Sequence, residues 1–205
     1  MRVQVLATEH WSLLATRGMT WNEIFSRASM FITVLSAAVV ALALVAQATA
    51  FGPGFRTFAL LVLPVVLLVG ITTTLRLGAA NTEDFGLVVG MNRLRHAYLE
   101  LAPDLEPYFV TAHHDDLASI TQSFGLGARM SFGRYLAGTP NLVAAITVVV
   151  FGAFAALVAQ TLGASDAVAL VAGLLAALAA IAGVGVLVVR SVRSALRGYH
   201  PRFPA

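Results

Sequence analysis

The sequence contains no cysteine and no lysine, and it has few charged residues of any kind. Without cysteine, the chain cannot form disulfides, thiolate metal sites or a cysteine nucleophile. Only 11% of its residues are charged, whereas a soluble domain carries about 25%. Hydrophobic residues make up 59% of the chain. This composition excludes an ordinary soluble globular protein.

The basic residues give no indication of nucleic-acid binding. All 13 are arginines, the net charge is only +3, and the arginines are scattered along the chain. A nucleic-acid-binding domain concentrates its positive charge on one face or along one helix. Nucleic acid is therefore not a predicted partner.

Four apolar segments are long enough to cross a membrane. A spanning helix needs about 20 apolar residues to cross about 30 Å of hydrocarbon. The segments cover about 28–50, 57–75, 142–162 and 167–189, and none contains Asp, Glu, Lys, Arg or His. Because lipid offers no hydrogen bonds to the backbone, each should be a helix. The predicted fold class is all-α, an integral membrane protein with four transmembrane helices.

Two short connections predict that the spans form two tight hairpins. Gly52-Pro53-Gly54 separates the first pair, and Gly163-Ala164-Ser165-Asp166 separates the second. Gly163 suits a helix C-terminal cap, Ser165 an N-cap, and Asp166 the positive end of the next helix. In the fourth span, Ala169, Gly173 and Ala177 form a row that lets helix backbones approach closely. This row packs either within one bundle or against another copy of the chain.

Arginine placement predicts the orientation in the membrane. Twelve of the 13 arginines lie before the first span, between the second and third, or after the fourth; Arg56 is the exception. The positive-inside rule makes that shared side cytoplasmic, with both termini on it. The predicted divisions are a cytoplasmic or interfacial segment, a first hairpin, a cytoplasmic helical segment, a second hairpin and a basic cytoplasmic tail, covering 1–27, 28–77, 78–141, 142–189 and 190–205.

Capping patterns predict where the cytoplasmic helices begin. Thr20 and Glu23 fit a capping box that opens a helix leading into the first span. Thr82, followed by Glu83 and Asp84, resembles a second helix start. Asp115 and Asp116 are predicted to open a short helix that continues through Ile120.

The middle segment carries one apolar seam and several helix-breaking residues. The seam residues recur at spacings of four and three, which is typical of a helix packed along one side; they are Leu87, Met91, Leu94, Tyr98 and Leu101. Pro103 should end this helix, and Pro107 disfavours a regular helix just beyond it. Gly125, Gly127, Gly133 and Gly138 predict a loop before the third span.

One polar cluster in the middle segment is a candidate site. Arg93, His96 and Glu100 share one stripe of the predicted helix, and a His-His-Asp-Asp run follows the proline break. A return of the chain could bring the two groups together. Histidine and carboxylate ligands suit zinc, manganese or iron, and a metal-bound water beside a carboxylate is a hydrolytic arrangement. The candidate metal ligands are His96, Glu100, His113, His114, Asp115 and Asp116.

Two other interpretations of this cluster stay open. It can be a solvated polar turn in which an aspartate caps a helix and His96 pairs with Glu100. It can also sense pH through His113 and His114, since histidine titrates near neutrality. No phosphate-binding glycine loop and no nucleophile-elbow serine is present.

Three stretches, Thr20–Arg27, Met91–Glu100 and Glu106–Phe109, resemble a family of small, uncharacterised multi-pass membrane proteins of GC-rich bacteria. The resemblance implies a four-span protein of the bacterial cytoplasmic membrane, and it implies no activity, cofactor or site residues. The predicted function is a non-catalytic, oligomeric membrane module: a scaffold, a sensor or a channel. Its partners would be the lipid bilayer, further copies of the chain and a cytoplasmic protein, with no cofactor. The alternative is a metal-dependent, membrane-bound hydrolase.

Overall fold

The computed structural model describes residues 1–124 and 138–205, and within these ranges the chain is helical, without a strand. This confirms the all-α class for the described residues. The α-helices are α1 (Arg2–Thr49), α2 (Pro53–Leu101), α3 (Leu117–Ser123), α4 (Thr139–Thr161) and α5 (Asp166–Leu196); a 3₁₀ helix covers Pro103–Tyr108. The glycines Gly125, Gly127 and Gly133, predicted to lie in a loop, fall outside the described ranges.

Four of the helices are long and apolar enough to cross a membrane. They are α1, α2, α4 and α5, and each predicted apolar segment lies within one of them to within one residue. The prediction of four such helices is confirmed for the described part of the chain.

The connection from α1 to α2 consists of Ala50, Phe51 and Gly52. The left-handed backbone conformation falls on Ala50 (φ 44°) and Phe51 (φ 58°). The sequence analysis instead assigned the turn to Gly52-Pro53-Gly54. Pro53 is the first residue of α2, where the ring's fixed φ suits a helix start and its missing N–H costs nothing.

The connection from α4 to α5 uses glycine as predicted. Gly163 has φ 91°, and its N–H donates to the Gln160 carbonyl at 3.1 Å. The side chain of Gln160 donates to the Asp166 carboxylate at 3.1 Å. This bond joins the end of α4 to the first residue of α5.

The chain divides into two compact units. Unit 1 comprises Met1–Ile24, Ala79–Tyr135 and Ser191–Ala205, and unit 2 comprises Phe25–Gly78 and Leu136–Arg190.

Unit 2 is held together by close approaches at glycine. A Cβ added to Gly152 would lie 2.9 Å from the Gly173 carbonyl oxygen, and one added to Gly173 would lie 2.7 Å from that of Gly152. The backbones of α4 and α5 are therefore in direct contact. Ala169, on the same row as Gly173, is 1% exposed. This part of the small-residue row packs within the chain.

Unit 1 has a small apolar core built mainly on α2. Val88, Val89, Met91 and Ile120 are buried together, and side chains from α1, α2, the end of α3 and the residues after α5 pack against them: Leu13, Phe85, Phe124 and Tyr199. A Cβ at Gly90 would meet the Leu13 side chain at 2.9 Å, so α1 crosses α2 closely here.

Two of the three predicted helix starts, those at Thr20 and Thr82, were wrong. The first helix begins at Arg2, and Thr20 lies inside it with its hydroxyl donating to the Thr16 carbonyl. Thr82 likewise lies inside α2. No proline interrupts either stretch, so each helix continues past the cap-like sequence. Asp84 does not cap a helix; its buried carboxylate binds the Arg17 guanidinium through two bonds of 2.7 and 3.1 Å.

The buried stripe of α2 matches the predicted seam only in part: Met91 is buried as predicted, whereas Leu87, Leu94 and Tyr98 are partly exposed. Leu101, its last predicted member, is 46% exposed. Asp84 and Asn92 are nearly inaccessible and belong to the stripe together with Val88. An apolar pattern cannot select a face whose buried residues include an aspartate and an asparagine.

Candidate functional site

The chain reversal after α2 brings the two predicted polar groups together. Pro103 ends α2, as predicted, and the 3₁₀ helix leads into an extended stretch that carries His113 to Asp116. Arg93 then lies against Asp115, and His96 lies against His113 and His114. Glu100 is 3.6 Å from His96 Nε2, but its side chain is 62% exposed. The structure thus gathers five of the six candidate ligands and leaves Glu100 at the edge.

Asp115 is fully buried, and all its polar contacts are to other parts of unit 1. Arg93 Nε donates to Oδ2 at 2.7 Å. The backbone N–H of Arg202 donates to Oδ2 at 3.0 Å, and that of Phe203 donates to Oδ1 at 2.8 Å. The Asp115 N–H donates to the Phe203 carbonyl, and the Tyr199 hydroxyl donates to the Asp115 carbonyl. Asp115 therefore binds residues 199–205, the C-terminal segment.

These contacts keep the Asp115 carboxylate ionised. Burial by itself raises the pKa of a carboxyl. The backbone N–H groups of Arg202 and Phe203, together with Arg93, outweigh that effect and hold the pKa of Asp115 below its ordinary 3.8.

Asp116 caps α3, as predicted for one of the two aspartates. Its Oδ1 accepts from the Ser119 N–H at 3.0 Å, and its Oδ2 accepts from the Ser119 hydroxyl at 2.9 Å. The N–H of Ala205 also donates to Oδ2, at 3.2 Å. The Ser119 N–H is the largest of the contributions that lower the pKa of Asp116.

Three imidazole rings form a histidine cluster, made of His96, His113 and His114. The ring centroids of His113 and His114 are 4.2 Å apart, and that of His96 lies 5.7 Å from His114 and 6.4 Å from His113. Phe203 stacks on His96 at 4.4 Å, and His114 Nδ1 lies 3.3 Å from the Phe203 carbonyl. The C-terminal segment therefore packs against the histidine cluster through Phe203.

The surroundings of His113 lower its pKa. Burial, then His114, then His96 lower the pKa of His113 from 6.5, and they outweigh Glu106, which raises it. His96 Nδ1 is buried and has no hydrogen-bond partner among the described residues. Burial and the neighbouring imidazoles therefore favour the neutral form of the His113 ring.

Asn92 connects the cluster to the unit 1 core. Its side chain is inaccessible, and its Nδ2 donates to the His114 carbonyl at 2.8 Å. Its Oδ1 accepts from Arg95 at 2.8 Å and from Ser123 at 2.9 Å. Asn92 thus fixes the extended stretch between α2 and α3. The sequence analysis did not identify it, because a single asparagine in a helix carries no pattern.

The arrangement suits binding of a peptide backbone better than chemistry on a substrate. Within residues 1–124 and 138–205, no three His, Asp or Glu side chains are placed to hold a metal ion together. The oxygens of Asp115 and Asp116 already accept backbone and side-chain donors. The hydrolase alternative stays a prediction without a supporting contact.

The C-terminal segment is the main feature that the sequence analysis missed. The sequence analysis described residues 190–205 only as a basic cytoplasmic tail. Its aromatic residues, Tyr199 and Phe203, are unusual in a solvated tail and could have indicated that the tail packs against the protein. Gly198, with φ 77°, ends the helical stretch and turns the chain toward Asp115.

Comparisons with protein-family models, curated proteins and solved structures gave no match.

Proposed function

We propose that the chain is a multi-pass protein of the bacterial cytoplasmic membrane that works as a non-catalytic sensor module. Its spans form two hairpins, both termini and the middle segment are cytoplasmic, and several copies assemble in the membrane. Unit 1 is the sensing part. Unit 1 binds the C-terminal segment in a docked state and releases it reversibly. On release, the segment and the surface that it had covered become available to a cytoplasmic partner.

The membrane part of this proposal is supported by length and charge. The 48 residues of α1 and the 49 of α2 each correspond to about 70 Å of helix, more than twice the roughly 30 Å of hydrocarbon. A part of each helix must then lie outside the bilayer. Twelve of the 13 arginines lie before the first apolar segment, between the second and third, or after the fourth, which is the basis for placing unit 1 in the cytoplasm.

The docked C-terminal segment is the observation that carries the sensor proposal. Asp115 and Asp116 accept three backbone N–H groups from it, those of Arg202, Phe203 and Ala205. A catalytic centre needs carboxylates that are open to a substrate. These carboxylates serve as receptors for the protein's own chain.

The strength of this docking is marginal, which suits reversible release. Three hydrogen bonds to charged acceptors contribute about 5–9 kcal/mol, at about 1.5–3 kcal/mol each. Ordering the backbone of seven residues costs about 7–14 kcal/mol, at about 1–2 kcal/mol per residue. The neutral hydrogen bonds and the stacking of Phe203 on His96 cover the small remainder. The segment can therefore detach while the helices stay folded.

Hydrogen exchange on the whole protein in lipid nanodiscs tests reversible docking. We expect the amides of Arg202, Phe203 and Ala205 to be protected, with an opening free energy lower than that of the unit 1 core amides Val88 to Asn92. Unprotected segment amides would show that the segment is not docked. Protection equal to that of the core would make the segment a fixed structural element and contradict the sensor proposal.

A further inference from the structure

We propose that unit 1 contains a binding site for a phosphate group, centred on the guanidinium of Arg95 between α1 and α2. His10 of α1 and Tyr98 of α2 complete the site. None of these three side chains takes part in the contacts that hold the C-terminal segment, so the site goes beyond the proposed docking and gives unit 1 a ligand of its own.

Arg95 lies on the side of α2 that faces α1. Five residues share this side of the helix, at spacings of four, three, four and three: Asp84, Val88, Met91, Arg95 and Tyr98. Both ends of the row contact α1, because Asp84 binds Arg17 at 2.7 Å and the Tyr98 ring stacks on that of His10 with centroids 5.9 Å apart. Arg95 is therefore placed between these two contacts, where it is partly buried.

No carboxylate of the chain pairs with Arg95. Its Nη1 donates to Asn92 Oδ1 at 2.8 Å, and this neutral amide is its only polar contact among the described residues. All ten acidic residues of the sequence lie within residues 1–124 and 138–205, and none of them forms an ion pair with Arg95. Arg17 and Arg93, which are also partly buried, each bind a carboxylate at 2.7 Å.

The charge of Arg95 is therefore poorly compensated. A guanidinium stays protonated at any physiological pH, so it cannot adapt to burial by losing its charge. Buried charges in proteins are normally paired with an opposite charge. Here burial and then Arg17 lower the pKa of Arg95, and burial and then Arg95 lower the pKa of His10. An anion beside Arg95 would supply the counter-charge that the protein does not.

The donor groups around Arg95 fit a phosphate. A guanidinium carries its five N–H donors in a planar fork that matches two phosphate oxygens at once. Only the bond to Asn92 uses this fork. The His10 imidazole and the Tyr98 hydroxyl have no hydrogen-bond partner among the described residues and can donate to further oxygens. A phosphate group offers at least three acceptor oxygens, whereas a carboxylate offers two.

Equilibrium dialysis of the full chain in phosphatidylcholine nanodiscs against radiolabelled inorganic phosphate tests the site, with empty nanodiscs as the blank. We expect one saturable phosphate site per chain. Arg95→Gln should weaken phosphate binding about tenfold or more, as expected for the loss of a hydrogen bond between charged groups. Arg95→Lys keeps the charge without the fork and should bind with intermediate affinity. The matched control Arg197→Gln removes an exposed arginine of the same unit and should bind like the wild type.

The same dialysis in phosphatidylglycerol nanodiscs distinguishes two sources of the phosphate group. Both measurements use the same high salt concentration, which screens the charge of the membrane surface. Weaker binding of free phosphate in phosphatidylglycerol would support the site and identify a lipid headgroup as its ligand. Equal binding would support the site and identify a soluble phosphate compound.

Two results would overturn the proposal. The first is the absence of saturable phosphate binding to the wild type. The second is equal phosphate affinity of the wild type and a folded Arg95→Gln variant; if that variant does not fold, unchanged affinity of Arg95→Lys has the same meaning. Neither result bears on docking, which hydrogen exchange of Arg202, Phe203 and Ala205 measures separately.

Discussion

Replacing Asp115 by asparagine changes one atom of the docking site and removes its charge. The carboxylate accepts from Arg93, Arg202 and Phe203. An amide offers one oxygen, and its NH₂ group must point toward at least one of these three donors. The substitution therefore leaves a donor without an acceptor in a fully buried position and deprives Arg93 of its counter-charge.

Asp115→Asn is expected to lower the free energy of docking of the C-terminal segment by about 3 kcal/mol. Removing one member of a buried ion pair costs about 3–5 kcal/mol. Asp115 is inaccessible but Arg93 is 31% exposed, so water recovers part of the loss and the lower end applies. A loss of about 3 kcal/mol shifts the docking equilibrium constant about a hundredfold toward the released state.

Trypsin provides the assay, because Arg202 lies within the docked segment and its cleavage releases Phe203–Ala205. Cleavage of a native protein reports the open population when closing is faster than cutting. We expect intact mass measurements to show Asp115→Asn cut after Arg202 at close to the rate of an undocked segment, which is faster than the wild type by up to about a hundredfold. Asp104→Asn, which changes an exposed carboxylate on the 3₁₀ helix, should be cut at the wild-type rate. A folded Asp115→Asn variant cut no faster than the wild type would refute the role of this carboxylate.

Three further predictions concern packing, a second ion pair and acid. Gly173→Ala should lower the free energy of unfolding in detergent by about 1–3 kcal/mol, because the added Cβ would lie 2.7 Å from the Gly152 carbonyl oxygen. Gly183→Ala is the control and should have no such effect, because no atom lies within 4 Å of its Cβ position. Equal effects of the two substitutions in thermal unfolding would contradict the close contact. Asp84→Asn should lower the free energy of unfolding by about 3 kcal/mol, because it removes the buried carboxylate that binds Arg17. The control is Glu9→Gln, which changes an exposed carboxylate. Chemical denaturation followed by the helical signal measures both variants, and equal stability of the two would contradict a stabilising role for the ion pair. The C-terminal segment should lose the contribution of Asp115 only below pH 3.8, because the pKa of this carboxyl is lowered and its ionised form is stabilised by the docking contacts. Hydrogen exchange of the Arg202 and Phe203 amides across pH 3–6 checks this prediction, and a loss of protection near pH 5 would contradict it.

The features that the sequence predicted correctly depend on local properties of the chain. A run of apolar residues identifies a long apolar helix without knowledge of its neighbours, which is why all four were found. Pro103, Gly163 and Asp116 also act within a few residues, through a missing N–H, a positive φ and a side-chain cap. Each of these predictions is confirmed.

The errors concern residues whose partners are distant in sequence. Thr20 and Thr82 have cap-like neighbours, but helix continuation and tertiary contacts outweigh a local preference of about 1 kcal/mol. Asp84 pairs with a residue 67 positions away, and Asp115 binds backbone groups 87 and 88 positions away. Backbone N–H groups have no sequence signature at all. The histidines and aspartates were therefore recognised as a cluster, while the C-terminal segment that they hold was not.

The proposed topology, in which four helices cross the membrane with unit 1 on the cytoplasmic side, can be tested directly by cysteine labelling. The chain has no cysteine, so single-cysteine variants give no background when intact cells are treated with a membrane-impermeant maleimide. Ser165→Cys, in the connection between α4 and α5, should be labelled in intact cells. Ser12→Cys, Asp104→Cys and Ser194→Cys should be labelled only after the cells are permeabilised. Labelling of Asp104→Cys in intact cells, or protection of Ser165→Cys, would contradict the proposed topology.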